Sequence, residues 1–303
     1  MVIKTPLMVE QHIHGAFGTD CNKADVKEML CLAKNLLEHG IGYFYPTLVT
    51  DSVENIKRQI SVIKEASLVC PQIQGIHLEG IFINPEKKGI HNSEHFMRLT
   101  PENYKLVEDD FIKIVTLAPE LDEGLIDYLR NKGVKVQAGH CTGGNLDNAD
   151  GVTHTFNAMS GISHRGTSTA LSALVNDKIY TEIIADGVHV SNEALKLLFK
   201  SKPSDKVILI SDALPITYSD IKETVFADSK IYYDGKKATS ADGTIAGSTT
   251  LLDGIVKRLH SVGLMNTEYI ENPYGYHSLS HNGEIVWDDD MNIKKIVYEG
   301  KEI

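Results

Sequence analysis

At 303 residues, 42% hydrophobic and 23% charged, the chain has globular composition and ample material for a core. A formal charge of -11, with no run of Lys or Arg, excludes the basic face that a nucleic-acid partner requires. No segment approaches the roughly 20 apolar residues of a membrane span, no signal-peptide core opens the chain, and four cysteines without Cys-x-x-Cys spacing read as reduced thiols; a cytoplasmic protein is expected.

In chain order, short β-rich runs alternate with longer helical stretches, the pattern of repeated strand–helix units and a parallel sheet. Strands are predicted at 7–9, 42–45, 73–78, 112–116, 134–138, 151–154, 180–184 and 207–210, with helices at 23–38, 53–67, 123–132, 169–175 and 192–200 between them. Eight such units close a (β/α)8 TIM-like barrel, α/β in class. Asp51-Ser52 and Ser191 are in place to cap the helices that follow them. Beyond the eighth strand, 221–244 is polar and hairpin-like, with turn signals at Asp234-Gly235 and Asp242-Gly243. A last barrel helix is expected at about 251–262. The tail, 283–303, reads as two short strands joined by Asp288-Asp289-Asp290. The division expected is a barrel over 1–275 and a β remnant over 276–303.

Chemistry in such a barrel sits at the carboxyl ends of its strands. The third strand runs into Glu79 within His77-Leu78-Glu79-Gly80, and the first ends in His12-Ile13-His14. Residues two apart on an extended chain face the same side, so both of those imidazoles can turn toward one ion. Other strand ends supply His140, His154, Asp186 with His189, and Asp212. Any one of these reads as a satisfied core side chain or a helix cap; together, at one end of six strands, they read as a metal site. Imidazole and carboxylate without thiolate suit zinc or iron and do not separate the two. A metal with an open position brings the pKa of bound water to roughly 7, and Asp212 is then the natural base.

Several ordered motifs resemble one family. The stretch Pro6 to Gly15, ending His12-Ile13-His14-Gly15, loosely matches its Pro-Gly-x-Ile-Asp-x-His-x-His-Gly opening. Similar blocks are His77-Leu78-Glu79-Gly80-Ile81-Phe82, Lys88-Gly89-Ile90-His91, Gly139-His140-Cys141, Thr153-His154-Thr155-Phe156-Asn157-Ala158-Met159, His164-Arg165, Ala185-Asp186-Gly187-Val188-His189-Val190, Ser211-Asp212-Ala213 and the stretch from Gly243 to Ser248. This set, over about residues 6–275, resembles the amidohydrolase superfamily and, within it, the N-acetylglucosamine-6-phosphate deacetylases.

The resemblance implies a metal-dependent hydrolase barrel and a deacetylase that releases acetate from an N-acetyl amino-sugar 6-phosphate. It implies one or two divalent ions, zinc or iron with manganese, cobalt or nickel as further options. Glu79, His140 and His154 would bind the principal ion, and His12 and His14 would complete a second site. Asp212 would be the catalytic acid/base, and His91 would polarise the acetyl carbonyl. His189 would hold the sugar. Arg165, Asn157 and the Ala158 backbone would grip the phosphate, for which a planar guanidinium is well shaped. Ala246, Gly247 and Ser248 would pack beside the acetyl group. A homodimer is expected on the same ground. Three departures put the substrate in question. Only five residues precede Pro6, so the small β-sandwich of relatives is expected as a vestige. Ile81 and Gly166-Thr167 alter two substrate loops, and 214–224 and 272–277 diverge. Two alternatives stay open: an amidohydrolase for another acylated amino sugar or a cyclic amide, and a sugar-phosphate-binding protein without catalysis.

Overall fold

The structure, a computed structural model, describes residues 3–303. Eight strands, Met8–Ile13, Ile41–Leu48, Ile76–Glu79, Ile112–Leu117, Lys135–Ala138, Gly151–Val152, Tyr180–Ile183 and Val207–Leu209, lie side by side in chain order as one parallel sheet. Every predicted barrel strand is present. The first differs most: it runs through His12 rather than stopping at residue 9, and all six of its residues are buried. Glu10, Gln11 and His12 looked like the end of a strand because they are polar, but a barrel interior can hold polar groups that satisfy one another.

The curled sheet closes through a seam rather than a regular ladder. Ile13 bridges Ala213, the Asp212 N–H donates to His12 O at 2.9 Å, and the His14 N–H donates to Ala213 O at 2.9 Å. Glu10 stitches the same seam from inside, accepting from the backbone N–H of His12 at 3.1 Å and of Ser211 at 3.0 Å.

Helices pack outside the strands by their apolar stripes. In Val53–Ser67, Ser52 caps the first turn by accepting from the Asn55 N–H, and Ile56, Ile60, Ile63 and Ala66 fall on the buried face at three- and four-residue spacing. The helix predicted from residue 23 begins at Val26, because Asp25 and Glu28 form a reciprocal capping box. Leu252–Ser261 is the last predicted barrel helix. A further helix, Glu268–His277, escaped prediction because Asn272-Pro273 reads as a breaker. It is anchored below the eighth strand by Asn272, whose amide donates to Ser204 O and Val207 O, both at 2.7 Å.

Among the described residues two four-stranded antiparallel sheets flank the barrel. After the eighth strand, Glu223–Phe226, Ser229–Tyr233, Ala238–Ser240 and Ile245–Gly247 form four strands where a hairpin was expected. The turn missed is Ala227-Asp228, whose φ values are 48° and 60°. Phe226, Ile231 and Ala238 pack from this sheet onto Val49, Ile90 and Leu214, so it walls the barrel mouth. The second sheet joins the two ends of the described chain: Ile3–Pro6 pairs with Gly283–Trp287, followed by Ile293–Tyr298 and Lys301–Glu302. Trp287 is buried there, its indole N–H donating to Thr5 Oγ1 at 2.9 Å. Among the described residues no helix is long and apolar enough to cross a membrane.

Candidate metal centre

The strand ends converge on Glu79. Its carboxylate leaves the third strand just before Gly80, which has φ 120°; a Cβ there would lie 2.0 Å from Thr50 Oγ1. Only a glycine lets the chain turn away so tightly and leave Glu79 facing the barrel axis. His140, His154 and Asp212 project from positions with φ of 48°, 31° and 52°, and this left-handed backbone is costly for such residues.

Each oxygen of Glu79 faces its own set of partners. Oε1 lies 3.2 Å from His140 Nε2 and 3.0 Å from His154 Nε2, and the two nitrogens are 3.1 Å apart. Oε2 lies 3.3 Å from His12 Nε2 and 3.0 Å from His14 Nε2, which are in turn 3.4 and 3.2 Å from Asp212 Oδ1. All of these residues are buried.

These donors fit a divalent ion. Atoms bound at 2.0–2.1 Å around a tetrahedral ion lie about 3.3 Å apart, close to the spacings within both sets. The tautomers agree. His140 Nδ1 is 2.7 Å from Lys87 O, which can only accept, so Nδ1 carries the ring proton and Nε2 turns a lone pair toward Glu79. A lone pair facing a carboxylate is repulsive unless a cation lies between them. His12 Nε2 is buried without a hydrogen-bond partner, as expected of a metal donor.

When no cation is bound, protons answer the same electrostatics. Burial opposes charge on both rings, yet Glu79 and Asp212 hold His12 well above the ordinary histidine value. His14 is pushed up to about 9, burial again opposing and contacts with Asp212 and Glu79 prevailing. Burial would raise both Glu79 and Asp212, but the imidazoles keep each below the usual carboxylate range.

The centre opens into a cavity of about 310 Å³. His91, Asn157, Ala158, His189, Ala246 and Gly247 line it. Burial and the neighbouring His140 hold His91 well below the ordinary value, so it is neutral. Its Nδ1 lies 2.8 Å from Thr50 Oγ1, and that oxygen already accepts the Ile81 N–H at 3.0 Å. A threonine hydroxyl that donates to Nδ1 would leave the His91 proton on Nε2. His189 Nδ1 donates to Asp186 Oδ2 at 2.8 Å.

Two predicted substrate-binding residues stand apart from the cavity wall. Ser248 is buried behind it, its N–H donating to Asp212 O. Arg165 sits exposed on the 160–167 loop, outside the lining. Sequence reasoning missed Lys87, which lines the cavity, and Glu182, which lies beneath it. A lone acid within the β-rich run Tyr180–Ile183 was the available signal for Glu182.

Among known proteins, no family model matches the chain. It is 34% identical over 263 residues to the N-acetylglucosamine-6-phosphate deacetylase of Bacillus subtilis (strain 168), covering 80% of this chain and 66% of that protein. It is 31% identical over 283 residues to the Bos taurus deacetylase of the same name, covering 84% and 68%. The chain thus spans about two thirds of the length of these relatives. A crystal structure of N-acetylglucosamine-6-phosphate deacetylase from Thermotoga maritima superposes with a TM-score of 0.91 at 25% identity, covering 99% of this chain and 88% of that one.

Proposed function

Because the chain belongs to the N-acetylglucosamine-6-phosphate deacetylase family of the amidohydrolase superfamily, we propose that it hydrolyses the acetamide of an N-acetylhexosamine 6-phosphate, giving acetate and the amino-sugar phosphate. The observation that carries this reading is the pair of donor sets meeting at Glu79 on the floor of a cavity that also holds Asp212 and His91.

Glu79, His140 and His154 would hold one divalent ion, and His12, His14, Asp212 and the second oxygen of Glu79 another. Bound there, an ion polarises the amide carbonyl and makes a water acidic near neutral pH. The remaining steps fall to the chain. Asp212, kept ionised, takes the proton of the attacking water and delivers it to the amine nitrogen as the C–N bond breaks. Neutral His91 offers its Nε2–H to the carbonyl oxygen as negative charge develops on it. His189, fixed by Asp186, faces the cavity as a hydrogen-bonding group for the sugar. Asn157 and the Ala158 backbone, with Arg165 reaching in from its loop, would hold the phosphate.

The test is acetate release from N-acetylglucosamine 6-phosphate and its galacto epimer, using protein loaded with zinc or iron. Turnover that falls roughly 10²- to 10⁴-fold in Asp212→Asn is expected. No release above that variant's background, on either epimer, removes this substrate class.

A further inference from the structure

Beneath the metal donors, out of contact with the cavity, the barrel holds a further carboxylate. Glu182 lies within the seventh strand, Tyr180–Ile183, and is 1% exposed. Its Oε2 is 3.2 Å from His12 Nδ1 and accepts the backbone N–H of His154 at 3.2 Å. Its Oε1 accepts from the amides of Gln11 at 2.6 Å and Gln137 at 3.0 Å. Gln11 is held in turn, because its Oε1 lies 2.8 Å from His277 Nε2. Four donors therefore converge on one buried carboxylate and fix its position.

His12, His77 and Glu182 lie close enough together to suggest an ion site of their own. His77 cannot serve it: Nδ1 is engaged by Gln11 O at 3.0 Å and Nε2 by Thr116 Oγ1 at 2.8 Å. The imidazole that remains for Glu182 is His12; from the other donor set it takes only the backbone N–H of His154. An ionised carboxylate only accepts, so His12 Nδ1 must carry the proton and Nε2 must turn outward, between Glu79 and Asp212. The other donor set has a separate brace, since Lys87 O holds the ring of His140.

We infer that Glu182 is the positioning residue of the His12–His14 half of the centre, fixing the tautomer and orientation of His12 so that this half binds its ion. The inference rests on the metal reading above. Carboxylates that orient a ligating histidine typically govern roughly 10- to 100-fold in metal affinity.

Two variants separate position from charge: Glu182→Gln keeps the shape and removes the charge, and Glu182→Asp keeps the charge and loses the reach. Each is dialysed against zinc beside the wild type, bound ions per chain are counted by elemental analysis, and affinities are measured by competition with a chromophoric chelator. Circular dichroism in chelator selects the variants that fold, and one folded variant suffices. The expected result is two ions in the wild type, with one retained in the variant and the other weakened roughly 10- to 100-fold. A folded variant that binds both ions as the wild type does, or loses both alike, overturns the inference, as does a wild type that binds only one. A wild type that takes up no ion overturns the metal reading itself.

Discussion

Stripping the protein of cations should make its stability fall as pH rises from about 6.5 to about 9, and the metal-loaded protein should fall less. His14 has its folded-state pKa raised to about 9 from an ordinary 6.5. A raised value means that the folded state binds the proton more tightly than the unfolded chain. The resulting stability is complete below 6.5 and is lost as pH climbs through 9. The difference is about 2.5 pH units at about 1.4 kcal/mol each, or about 3.5 kcal/mol from this residue; His12, also raised, acts in the same direction. Glu10, pushed up to about 8 by burial, also erodes stability as pH rises, but in both forms of the protein. The readout is therefore the gap between the unfolding midpoints of loaded and chelated protein. An ion must displace the His14 proton at pH 6.5 and finds it largely gone above 9, so the gap should widen with pH. At roughly 2 °C or more per kcal/mol, the widening should reach about 7 °C. A gap that stays constant or narrows from pH 6.5 to 9 refutes the account of shared charge at Glu79.

Three further outcomes follow from particular contacts. Glu10→Ala leaves the buried N–H groups of His12 and Ser211 without acceptors at the barrel seam, at about 1–3 kcal/mol each; denaturant unfolding should show a loss of about 2 kcal/mol or more, and a change under 0.5 would discount the seam. Gly80→Ala forces a Cβ to within 2.0 Å of Thr50 Oγ1 at φ 120°; zinc content should drop well below the wild-type value, and an unaltered ion count would show that the turn can adjust. Arg165→Ala should raise KM for a 6-phosphate substrate roughly 10-fold with kcat nearly unchanged, the mark of a binding contact made equally in ground and transition states. An unchanged KM would assign phosphate recognition to other groups, Lys87 first among them.

The architecture was legible because a barrel repeats one signal eight times. Hydrophobic periodicity and capping residues such as Ser52 and Ser191 placed helices Val53–Ser67 and Asn192–Ser201 almost to the residue. Glu79, His140 and His154 could be read as neighbours because each follows an apolar run, and apolar runs of parallel strands end on one rim. Polar residues inside the barrel were harder. Gln11, Gln137 and Glu182 satisfy one another across three strands, and that pairing has no local pattern. Nor did any spacing reveal that Arg165 stands clear of the cavity, since loops obey no period. Helix Glu268–His277 was hidden by Pro273, whose local preference is overridden by Tyr274 donating to Leu7 O at 2.7 Å and by Asn272 under the eighth strand.

The seam has a consequence for how the protein is made. Glu10 and Ser211, which fasten it, are separated by 201 residues, and Asp212 faces His12 and His14 across the same join. A growing chain therefore exposes its histidine pair early and must wait for most of its own synthesis before the opposing aspartate emerges. Up to that moment the pair would be an incomplete ligand set. On the two-ion reading, capture of the ion between His12, His14 and Asp212 would come late, and a chain broken off before residue 207 would keep Glu79, His140 and His154 yet have no eighth strand with which to shut the ring.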